Sequence, residues 1–587
     1  MAPNGNDANP GTFALPVKSF NAAVQKLPFG TAGINGGHAY GVIKMKPGYY
    51  ATSTGFQQST SAWKNGNTYK NISLEGIGEV IIGGTKDSFA TGHLLLLRGD
   101  HIYIKNIKLK YSTGIGLLLN RTDVKRQSNV LIDNVVVDSV GGFSFLLTNI
   151  DSILVLNSKS LYSSRPGNDS LISPCQWPSG LKVFGCNDAT VHHCEVAYSR
   201  GEGLNFQNSL RGLAYKNKLH DNGLNFYNDN SAKLIVHSNH IYNTPGIGYQ
   251  YWRNCPADTS KTWSGSGFLI ANEGSCMTGS LPSFQGCKTV CKFPDENFSN
   301  VDSMFIYNNI LQNVGNAFGF WEGRTDINGV NCIRNVFIFN NTIIGVMGMP
   351  GAPNGSLISA YFPDYNVIFN SYYGYLQNVK ITNNIFTYDT LLYPNMKPVS
   401  LTFHALHPGP KDIKFDNNLW IQKHSNFGPY DLVRNNMPGS TYLLSDSLNS
   451  IQPCPQNQYW NYNGIKPFDF LDSDYLFRNR LSPSTNVGAL EYRTSCNSGV
   501  AGFVKNENLN PKLYPNPCIN CKEIRIENLS NNNEFIYSLF TIDGKMVESG
   551  KVKNSSLLFS QTYNGVYILL LNNQSAYYRN KLVLITE

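Results

Sequence analysis

The sequence predicts an all-β protein built as a solenoid, a parallel β-helix. First, a short apolar run that ends in Asn or Asp recurs about every two dozen residues through the middle of the chain. Second, strand-like pieces lie between these runs and end in turns that contain Asn. Third, the 587 residues include 53 Gly, 33 Tyr and 32 Phe, a composition typical of β-structure.

The recurring runs align as successive rungs of one stack. They read GIGLLLN from Gly114, GGFSFLLTN from Gly141, SGLKVFGCND from Ser179, GEGLNFQN from Gly201, GLNFYND from Gly223, GIGYQYWRN from Gly246, SGFLIANEG from Ser266 and NAFGFWEGR from Asn316. One such coil cannot bury its own apolar face, so neighbouring coils must stack. The large apolar residues of each run should point into the solenoid and their neighbours outward.

Four regions are expected along the chain. Residues 1–41 form an N-terminal cap, in which the amphipathic segment SFNAAVQKL predicts a helix over the first coil. Residues 42–497 form the solenoid, with decorated coils and long loops at 357–480. Residues 498–511 form a Gly- and Asn-rich linker, and residues 512–587 form a small separate domain.

Segments at both ends of the solenoid resemble those of extracellular right-handed, pectate-lyase-like β-helix proteins. The N-terminal segment contains Gly5, Asn6, Asp7, Pro10, Gly11 and Thr12, followed by a strand with Pro47, Gly48 and Tyr50. SPSTNVGALEY at 482–492 is similar to the closing segment of the same broad group. The resemblance implies a right-handed solenoid but no single chemistry, because this fold serves lyases, hydrolases, epimerases and adhesins.

The C-terminal residues resemble the sorting domain of type IX secretion. Its motifs occur in order, as Tyr514-Pro515-Asn516-Pro517, Asp543-Gly544-Lys545, Gly565-Val566-Tyr567 and Lys581-Leu582-Val583. Leu584 stands where a basic residue usually follows. The resemblance implies a small β-sandwich, export through the type IX machinery, and a secreted or cell-surface location.

Net charge and hydropathy limit the classes of partner that the protein is expected to bind. The net charge of +8 comes from scattered Lys and Arg without a basic run, which argues against nucleic acid and is compatible with an anionic polysaccharide. No apolar run is long enough to span a bilayer. Met1 leads directly into APNGNDANPGT without a secretion signal, as expected of a chain whose signal has been removed. We expect a monomer.

The chain has 12 Cys, and two interpretations remain open for them. Cys255, Cys276, Cys287 and Cys291 bracket one insertion, where disulfides formed in an oxidising compartment are expected. Free buried thiols are the alternative and suit Cys186 and Cys194, which lie within coils. CINC at Cys518 is a single CxxC motif without a second cysteine pair, which indicates a local disulfide more than a zinc site.

The outward residues between positions 182 and 324 form a candidate saccharide-binding face. Aromatic rings can cover the apolar CH faces of sugars, while amides, carboxylates and guanidinium groups bond the hydroxyls. The expected substrate-binding residues are Lys182, Asn205, Gln207, Asn225, Gln250, Trp252 and Trp321. The expected catalytic residues are Tyr227, Asp229, Arg253, Glu273, Glu322 and Arg324. The alternatives are that the Asn and Asp residues only form turns, and that the carboxylates only pair with nearby Arg.

Elimination at a uronic acid is one reaction that fits this face. Arg253 and Arg324, or a bound Ca²⁺, would neutralise the sugar carboxylate. Tyr227, Lys182 or His220 would remove the proton at C5. No metal site is assigned, because no dense Asp cluster marks one. Ca²⁺ therefore stays an option for a cofactor.

Hydrolysis is the second reaction, and it needs two carboxylates about 5 to 10 Å apart. Glu273 and Glu322 would meet this on adjacent coils, because parallel strands stack about 4.8 Å apart. Asp229 is expected two coils from Glu273. We favour a polysaccharide lyase because basic groups outnumber carboxylate pairs; a glycoside hydrolase and a non-catalytic glycan-binding adhesin are the alternatives.

For four histidines and for Glu202, the sequence favours or allows a structural role. His220 and His240 occupy equivalent turn positions of successive repeats, which indicates a structural role. His192 and His193 are neighbours in a strand, so their side chains should point to opposite faces. Glu202 could be catalytic or could form a turn pair with Arg200.

Overall fold

The structure is a computed structural model that describes most of the chain as far as Tyr307 and shorter segments beyond it. The described residues are 1–28, 39–57, 69–120, 126–164, 178–244, 265–272, 292–293, 296–299, 301–322, 332–346, 367–371, 375–387, 400–403, 411–420, 432–433, 463–464, 485–486, 489, 512–514, 518–519, 523–527, 536–541, 546–552, 556–561, 565–572 and 577–585. Side chains are described over a slightly smaller set, which leaves out the ends of several strands.

Two long parallel sheets dominate the described residues. The first, called the eleven-stranded sheet, consists of Phe56–Gln57, Leu95–Leu97, Leu117–Leu119, Phe145–Thr148, Leu181–Phe184, Glu202–Gln207, Leu224–Asp229, Ser266–Asn272, Asn316–Glu322, Val367–Ser371 and Ser400–Phe403. The second, called the large sheet, has 23 described strands: Ala39–Met45, Gly48–Ala51, Tyr69–Gly76, Val80–Gly83, Gly99–Ser112, Gln127–Val140, Ile150–Leu156, Lys159–Ser163, Asn187–His192, Glu195–Ala197, Leu213–Tyr215, Lys218–His220, Leu234–His237, His240–Tyr242, Asp302–Tyr307, Ile310–Val314, Cys332–Phe339, Thr342–Val346, Tyr375–Thr382, Ile385–Thr387, Lys411–Asp416, Leu419–Trp420 and Leu432–Val433.

Most coils contribute one strand to the eleven-stranded sheet and then one bent pair of strands to the large sheet. In two coils the pair is replaced by one long strand, Gly99–Ser112 or Gln127–Val140. In one coil, Leu181–Phe184 is followed by Asn187–His192 and Glu195–Ala197, and the chain returns as Glu202–Gln207. Returning strands pair in parallel, with Leu181 beside Leu204 and Val183 beside Phe206. Parallel strands joined by such crossovers are right-handed in nearly all proteins. The predicted right-handed parallel β-helix is confirmed.

The corners of the coils explain why the apolar runs end in Asn or Asp. Residues that follow the strands adopt left-handed backbone conformations, as at Asn208 (φ 49°), Asn230 (φ 55°) and Asn308 (φ 54°). Asn and Asp enter this region with less strain than other non-glycine residues, because their side chains hydrogen-bond locally. The repeated Asn therefore marks the end of a strand.

The core lies inside the solenoid and follows the predicted alternation. Leu181 and Val183, Leu204 and Phe206, and Phe268 and Ile270 are buried as expected. The rings of Phe206, Phe226, Phe268 and Phe318 stand one above another, with centroids 5.2 to 6.0 Å apart. These contacts connect each coil to the next through aromatic packing.

A column of buried asparagines runs through six coils at the bend of the large sheet. Its members are Asn217, Asn239, Asn309, Asn341, Asn384 and Asn418. The Asn309 side chain donates to Val236 O at 3.0 Å and to Asn341 Oδ1 at 2.9 Å, and its own Oδ1 accepts from the backbone and side chain of Asn239. Each amide therefore satisfies the backbone of adjacent coils, as buried polar groups require.

The predicted capping helix is present as Phe20–Gln25. Phe20 and Val24 are buried, and the Phe20 ring stacks on Phe56 of the first coil with centroids 5.5 Å apart. Ser19 caps the helix, because its hydroxyl accepts a hydrogen bond from Ala22 N at 3.1 Å. The helix thus covers the open end of the first coil.

We expect Ser19→Ala to lower the free energy of unfolding by about 1 kcal/mol, the usual effect of losing an N-cap hydroxyl. Chemical denaturation of the solenoid followed by tryptophan fluorescence would measure this. Ser19→Asp keeps an acceptor and should stay close to wild type. Equal stability of the Ala variant and wild type would show that the hydroxyl does not cap the helix.

The chain divides into two compact units, Met1–Arg493 and Thr494–Glu587. The C-terminal unit has two described sheets, one of Lys512–Tyr514, Glu523–Glu527 and Ser556–Leu558, and one of Cys518–Ile519, Ile536–Thr541, Met546–Lys551, Gly565–Asn572 and Tyr577–Ile585. This agrees with the predicted small β-sandwich. Two short antiparallel pairs, Lys292–Phe293 with Glu296–Ser299 and Asn463–Gly464 with Thr485–Asn486, complete the described strands of the chain.

Candidate functional site

The strand register corrects the predicted number of rungs. Leu224–Asp229 pairs directly with Ser266–Asn272, with Asp229 opposite Ala271. Leu224–Asp229 and Ser266–Asn272 are therefore adjacent rungs, although the sequence predicted a rung at Gly246 between them. The run at Gly246 itself lies outside the described residues. Asp229 consequently lies one coil from the strand that precedes Glu273, and the predicted separation of two coils is wrong.

The outward positions of the eleven-stranded sheet change from apolar to polar in its middle. One outward column reads Leu96, Leu118, Leu146, Lys182, Asn205, Tyr227, Leu269 and Gly319. The next reads Thr148, Phe184, Gln207, Asp229, Ala271 and Trp321. The sheet thus brings five predicted site residues together on three adjacent coils, here called the polar patch: Lys182, Asn205, Gln207, Tyr227 and Asp229.

The polar patch is more deeply buried than expected. The exposed fraction is 1% for Asn205, 7% for Gln207, 4% for Tyr227 and 0% for Asp229, whereas Lys182 is half-buried. The expectation of a trough open to solvent is therefore not met at these four side chains. A ligand could reach them only once the patch is uncovered.

Hydrogen bonds and ring contacts hold the patch side chains in place. Gln207 Nε2 donates to Asp229 Oδ2 at 2.6 Å. Asn205 Nδ2 donates to Ser179 Oγ at 3.1 Å. The Lys182 ammonium lies 5.5 Å from the Phe143 ring centroid and 5.6 Å from that of Phe184, within cation–π range.

Several amide atoms in and beside the patch are buried and have no hydrogen-bond partner among the residues that the structure describes. They are Asn205 Oδ1, Asn208 Oδ1 and both side-chain polar atoms of Asn230. Such atoms each destabilise a fold by roughly 1 to 3 kcal/mol unless a ligand or water satisfies them. Asn208 and Asn230 were not predicted as site residues. The available signal was an Asn directly after each of the outward residues Gln207 and Asp229.

Asn225 is a correction to the predicted substrate-binding set. It is fully buried, accepts from Asn222 Nδ2 at 3.0 Å and donates to Asn243 Oδ1 at 3.1 Å. It therefore joins neighbouring corners of the solenoid. Glu202, weighed as a catalytic acid or a partner of Arg200, accepts a hydrogen bond from Ser179 Oγ at 2.8 Å.

The other predicted site residues are beyond what the structure describes in side-chain detail. Gln250, Trp252, Arg253, Glu273 and Arg324 lie outside the described residues. Trp321 and Glu322 are described only as backbone, with Trp321 beside Ala271 and Glu322 beside Asn272. The strand that precedes Glu273 and the strand that ends at Glu322 are therefore on adjacent coils.

The described residues do not form a complete metal site. They contain no group of three or more His, Cys, Asp or Glu residues placed to hold a metal ion. Ca²⁺ takes about six to eight oxygen ligands. The patch offers one buried carboxylate, Asp229, together with amide oxygens. This donor set alone does not fit Ca²⁺.

His220 is removed from the list of bases for this face, because it belongs to the large sheet. Its Nδ1 lies 2.8 Å from Asp221 Oδ2, and its Nε2 lies 3.3 Å from Glu195 Oε1. Burial alone would lower the pKa of His220, but the bonds to Asp221 and Glu195 outweigh it and raise the pKa above the usual value. The hydrogen bond from His220, together with Lys159, lowers the pKa of Glu195 to about 2 against the effect of burial.

Two histidine predictions are wrong. Lys218 pairs with His240 and His220 with Tyr242, so the two histidines are not equivalent but shifted by two residues. His192 and His193 do not point to opposite faces, since their Nδ1 atoms lie 2.7 Å apart. The strand ends at His192, and the left-handed backbone of His193 (φ 54°) breaks the alternation.

Cys186 and Cys194 are free thiols in the core. Burial raises the pKa of each to about 12, so both are unreactive near neutral pH. The free-thiol alternative therefore holds for these two residues. Cys255, Cys276, Cys287 and Cys291 lie outside the described residues, and their expected disulfides stay a prediction.

Comparison with known proteins identifies the C-terminal unit first. Residues 512–585 match the family of secretion system C-terminal sorting domains, so this domain belongs to that family. The protein is therefore secreted or displayed at the cell surface, through type IX secretion. In the described part of the chain, no helix has the length and hydropathy to cross a membrane.

The solenoid is similar to several solved β-helix structures, all distant. It matches pectate lyase Pel9A with a TM-score of 0.40 and 14% identity, over 84% of this chain and 96% of that chain. It matches PfbA, a surface adhesin of Streptococcus pneumoniae, with a TM-score of 0.37 and 10% identity over 70% and 89% of the two chains. It matches the catalytic unit of a GH87 alpha-1,3-glucanase from Streptomyces thermodiastaticus with a TM-score of 0.28 and 12% identity over 64% of each.

These similarities are too distant to bear on activity. No curated protein sequence matches the chain significantly.

Proposed function

We propose that this protein is a secreted carbohydrate-active enzyme, a polysaccharide lyase that acts on a uronate-containing glycan at the polar patch of the eleven-stranded sheet. The observation that carries the proposal is the cluster of buried amide atoms at Asn205, Asn208 and Asn230 that no other described residue satisfies. Sugar hydroxyls both donate and accept, so they can satisfy amide oxygens and nitrogens alike.

The side chains around these amides supply the other groups that sugar recognition needs. Lys182 brings a positive charge held beside the aromatic rings of Phe143 and Phe184. Tyr227 follows Asn205 in the same outward column. A uronate differs from a neutral sugar by its carboxylate, and a cation beside hydroxyl-binding amides recognises that difference.

Elimination would proceed with Tyr227 as the base that removes the proton at C5 while the Lys182 ammonium binds the sugar carboxylate. Alternatively, neutral Lys182 would be the base, and Arg253 and Arg324 alone would bind the carboxylate. The electron pair of the C5–H bond forms the C4–C5 double bond, the C4–O4 bond breaks, and the leaving oxygen takes a proton. Arg253 and Arg324 are proposed to neutralise the sugar carboxylate, which acidifies the proton at C5. The sequence predicted the same roles for Arg253, Arg324 and, as the base, Tyr227 or Lys182.

A specific spacing supports hydrolysis as the second candidate. Asp229 and the strand that ends at Glu322 are separated by one intervening strand, a distance of about 9.6 Å at the usual strand spacing. That is just above the separation that inverting glycosidases use, about 6.5 to 9.5 Å, and small side-chain movements would bring it into this range. Asp229 and Glu322 would then be the two carboxylates.

We expect Tyr227→Phe to lower kcat/KM on a uronate polysaccharide by about 100-fold or more if Tyr227 is the base, as loss of a general base usually does. Lys182→Met should have a similar effect if the lysine fills that role. A panel of polysaccharides would be scored by ultraviolet absorbance for unsaturated products and by reducing ends. Lys159→Met, on the large sheet, is the matched control and should retain wild-type activity.

The outcomes separate the three functions. Absorbance growth on a uronate substrate that either patch variant abolishes supports the lyase. Reducing ends without absorbance, lost in Asp229→Asn, would replace the lyase with a hydrolase. Glycan binding without any product would leave an adhesin.

A further inference from the structure

A cavity of about 480 Å³ lies between the N-terminal cap and the first coils, away from the polar patch. Its lining includes Phe20, Tyr49, Tyr50 and Phe56 together with the polar Lys18 and Asn21. The volume lies within the range of sites that hold small ligands, about 300 to 1,000 Å³. It is therefore large enough for one or two sugar rings.

Aromatic contacts make part of the cavity wall rigid. Phe20 stacks on Phe56 with centroids 5.5 Å apart, and Tyr50 meets the Phe56 ring edge-on at 6.2 Å. The Tyr50 hydroxyl donates to the backbone carbonyls of Met1 and Lys46, at 3.1 and 2.9 Å, and these bonds fix the Tyr50 ring. Tyr49 has an exposed fraction of 37%, although large aromatic side chains are more often buried. A saccharide ring could pack on such a surface.

The charge of the cavity favours an anion. Lys18 is the one charged residue among the described lining residues. The nearby Asp7 carboxylate already accepts the backbone N–H groups of Lys18 and Ser19 at 2.8 and 2.7 Å. Burial would raise the pKa of Asp7, but the hydrogen bonds from Ser19 and Lys18 and the charge of Lys18 outweigh it and lower the pKa. The Lys18 side chain is exposed, so its ammonium can also meet a ligand carboxylate.

We propose that this N-terminal cavity is a second saccharide-binding site that takes an acidic sugar, with its ring on the aromatic wall and its carboxylate at Lys18. The proposal does not depend on the function of the polar patch. Phe56–Gln57 is the first strand of the eleven-stranded sheet, and Asn205 lies five strands further along. At the usual strand spacing this places the two sites roughly 24 Å apart. A substitution in one site leaves the other unaltered.

The test is isothermal titration of the full chain with digalacturonic acid and, as the neutral probe, cellobiose. Lys18→Met is expected to weaken digalacturonate binding at least tenfold, because it removes the cation while preserving the side-chain length. Tyr49→Ala should weaken it through the lost ring contact. Lys46→Met is the matched control, since this lysine lies over Phe13 at 4.1 Å, outside the lining, and should bind like wild type.

The outcomes either support or overturn the cavity site. Loss in Lys18→Met with retention in Lys46→Met and in Lys182→Met supports it, provided the melting temperatures agree. No binding by wild type, equal affinity in Lys18→Met, or loss only in Lys182→Met would overturn it. The last result would assign the probe to the polar patch, so the two proposals fail independently.

Discussion

Replacement of Asn309 by Leu is expected to lower the free energy of unfolding of the solenoid by roughly 4 kcal/mol. Leu has the same number of side-chain heavy atoms and the same branch at Cγ but no polar atoms, so the Asn239 backbone N–H and the Val236 carbonyl both lose a buried partner. The Asn341 Oδ1 also loses one of its donors. Each buried group left without a partner destabilises the fold by roughly 1 to 3 kcal/mol. Urea denaturation followed by circular dichroism measures the change.

The matched control is Asn129→Gly. Asn129 is exposed and also has a left-handed backbone (φ 55°). Its side-chain Nδ2 lies 3.2 Å from Nε2 of His101. Glycine accepts that backbone, so we expect a change within about 0.5 kcal/mol. If Asn309→Leu were as stable as this control, the asparagine column would not connect the coils energetically.

The solenoid could be predicted because its core repeats locally. Alternation places Phe226 and Phe268 inside and Tyr227 outside, and this depends only on strand geometry and not on distant residues. The capping helix was predictable for the same reason, since Ser19 and the apolar residues of Phe20–Gln25 are neighbours in sequence. Local sequence signals were therefore sufficient to predict the fold class and the N-terminal cap.

The predicted order of rungs was wrong between Asp229 and Ser266. The run at Gly246 has the same alternation as Ser266–Asn272 and was predicted to form a rung between them, yet Asp229 pairs directly with Ala271. Pattern alone cannot distinguish a rung from a loop of the same composition. The predicted equivalence of His220 and His240 was wrong for a similar reason, because a shift of two residues preserves the alternation.

The composition of the candidate site was predictable, but its burial was not. The outward positions of Lys182, Asn205 and Tyr227 follow from alternation. Their exposure depends on tertiary packing, which alternation does not report. The buried asparagine column was also missed, because Asn309 and Asn341 read as ordinary turn residues until the register aligns them.

His240 should make the solenoid sensitive to acid. Burial lowers its pKa to about 3, and the nearby Lys218 and His220 act in the same direction, although a hydrogen bond with Gln312 partly opposes them. The unfolded chain, with an ordinary histidine pKa near 6.5, binds a proton that the folded chain rejects. Stability therefore falls by about 1.4 kcal/mol per pH unit as pH drops below 6.5.

The window between pH 4.5 and 6.5 isolates this residue from its ionisable neighbours. Glu195, with a pKa of about 2, stabilises the fold above pH 4.5 and loses that contribution only as pH falls further. His220, whose pKa is raised, contributes fully below pH 6.5 and less as pH rises. We expect His240→Phe, which keeps a ring against Tyr242, to remove about 2.5 kcal/mol of the change in unfolding free energy across this window. Urea midpoints at half-unit pH intervals measure it, and parallel curves for the two proteins would show that folding leaves the pKa of His240 at its ordinary value.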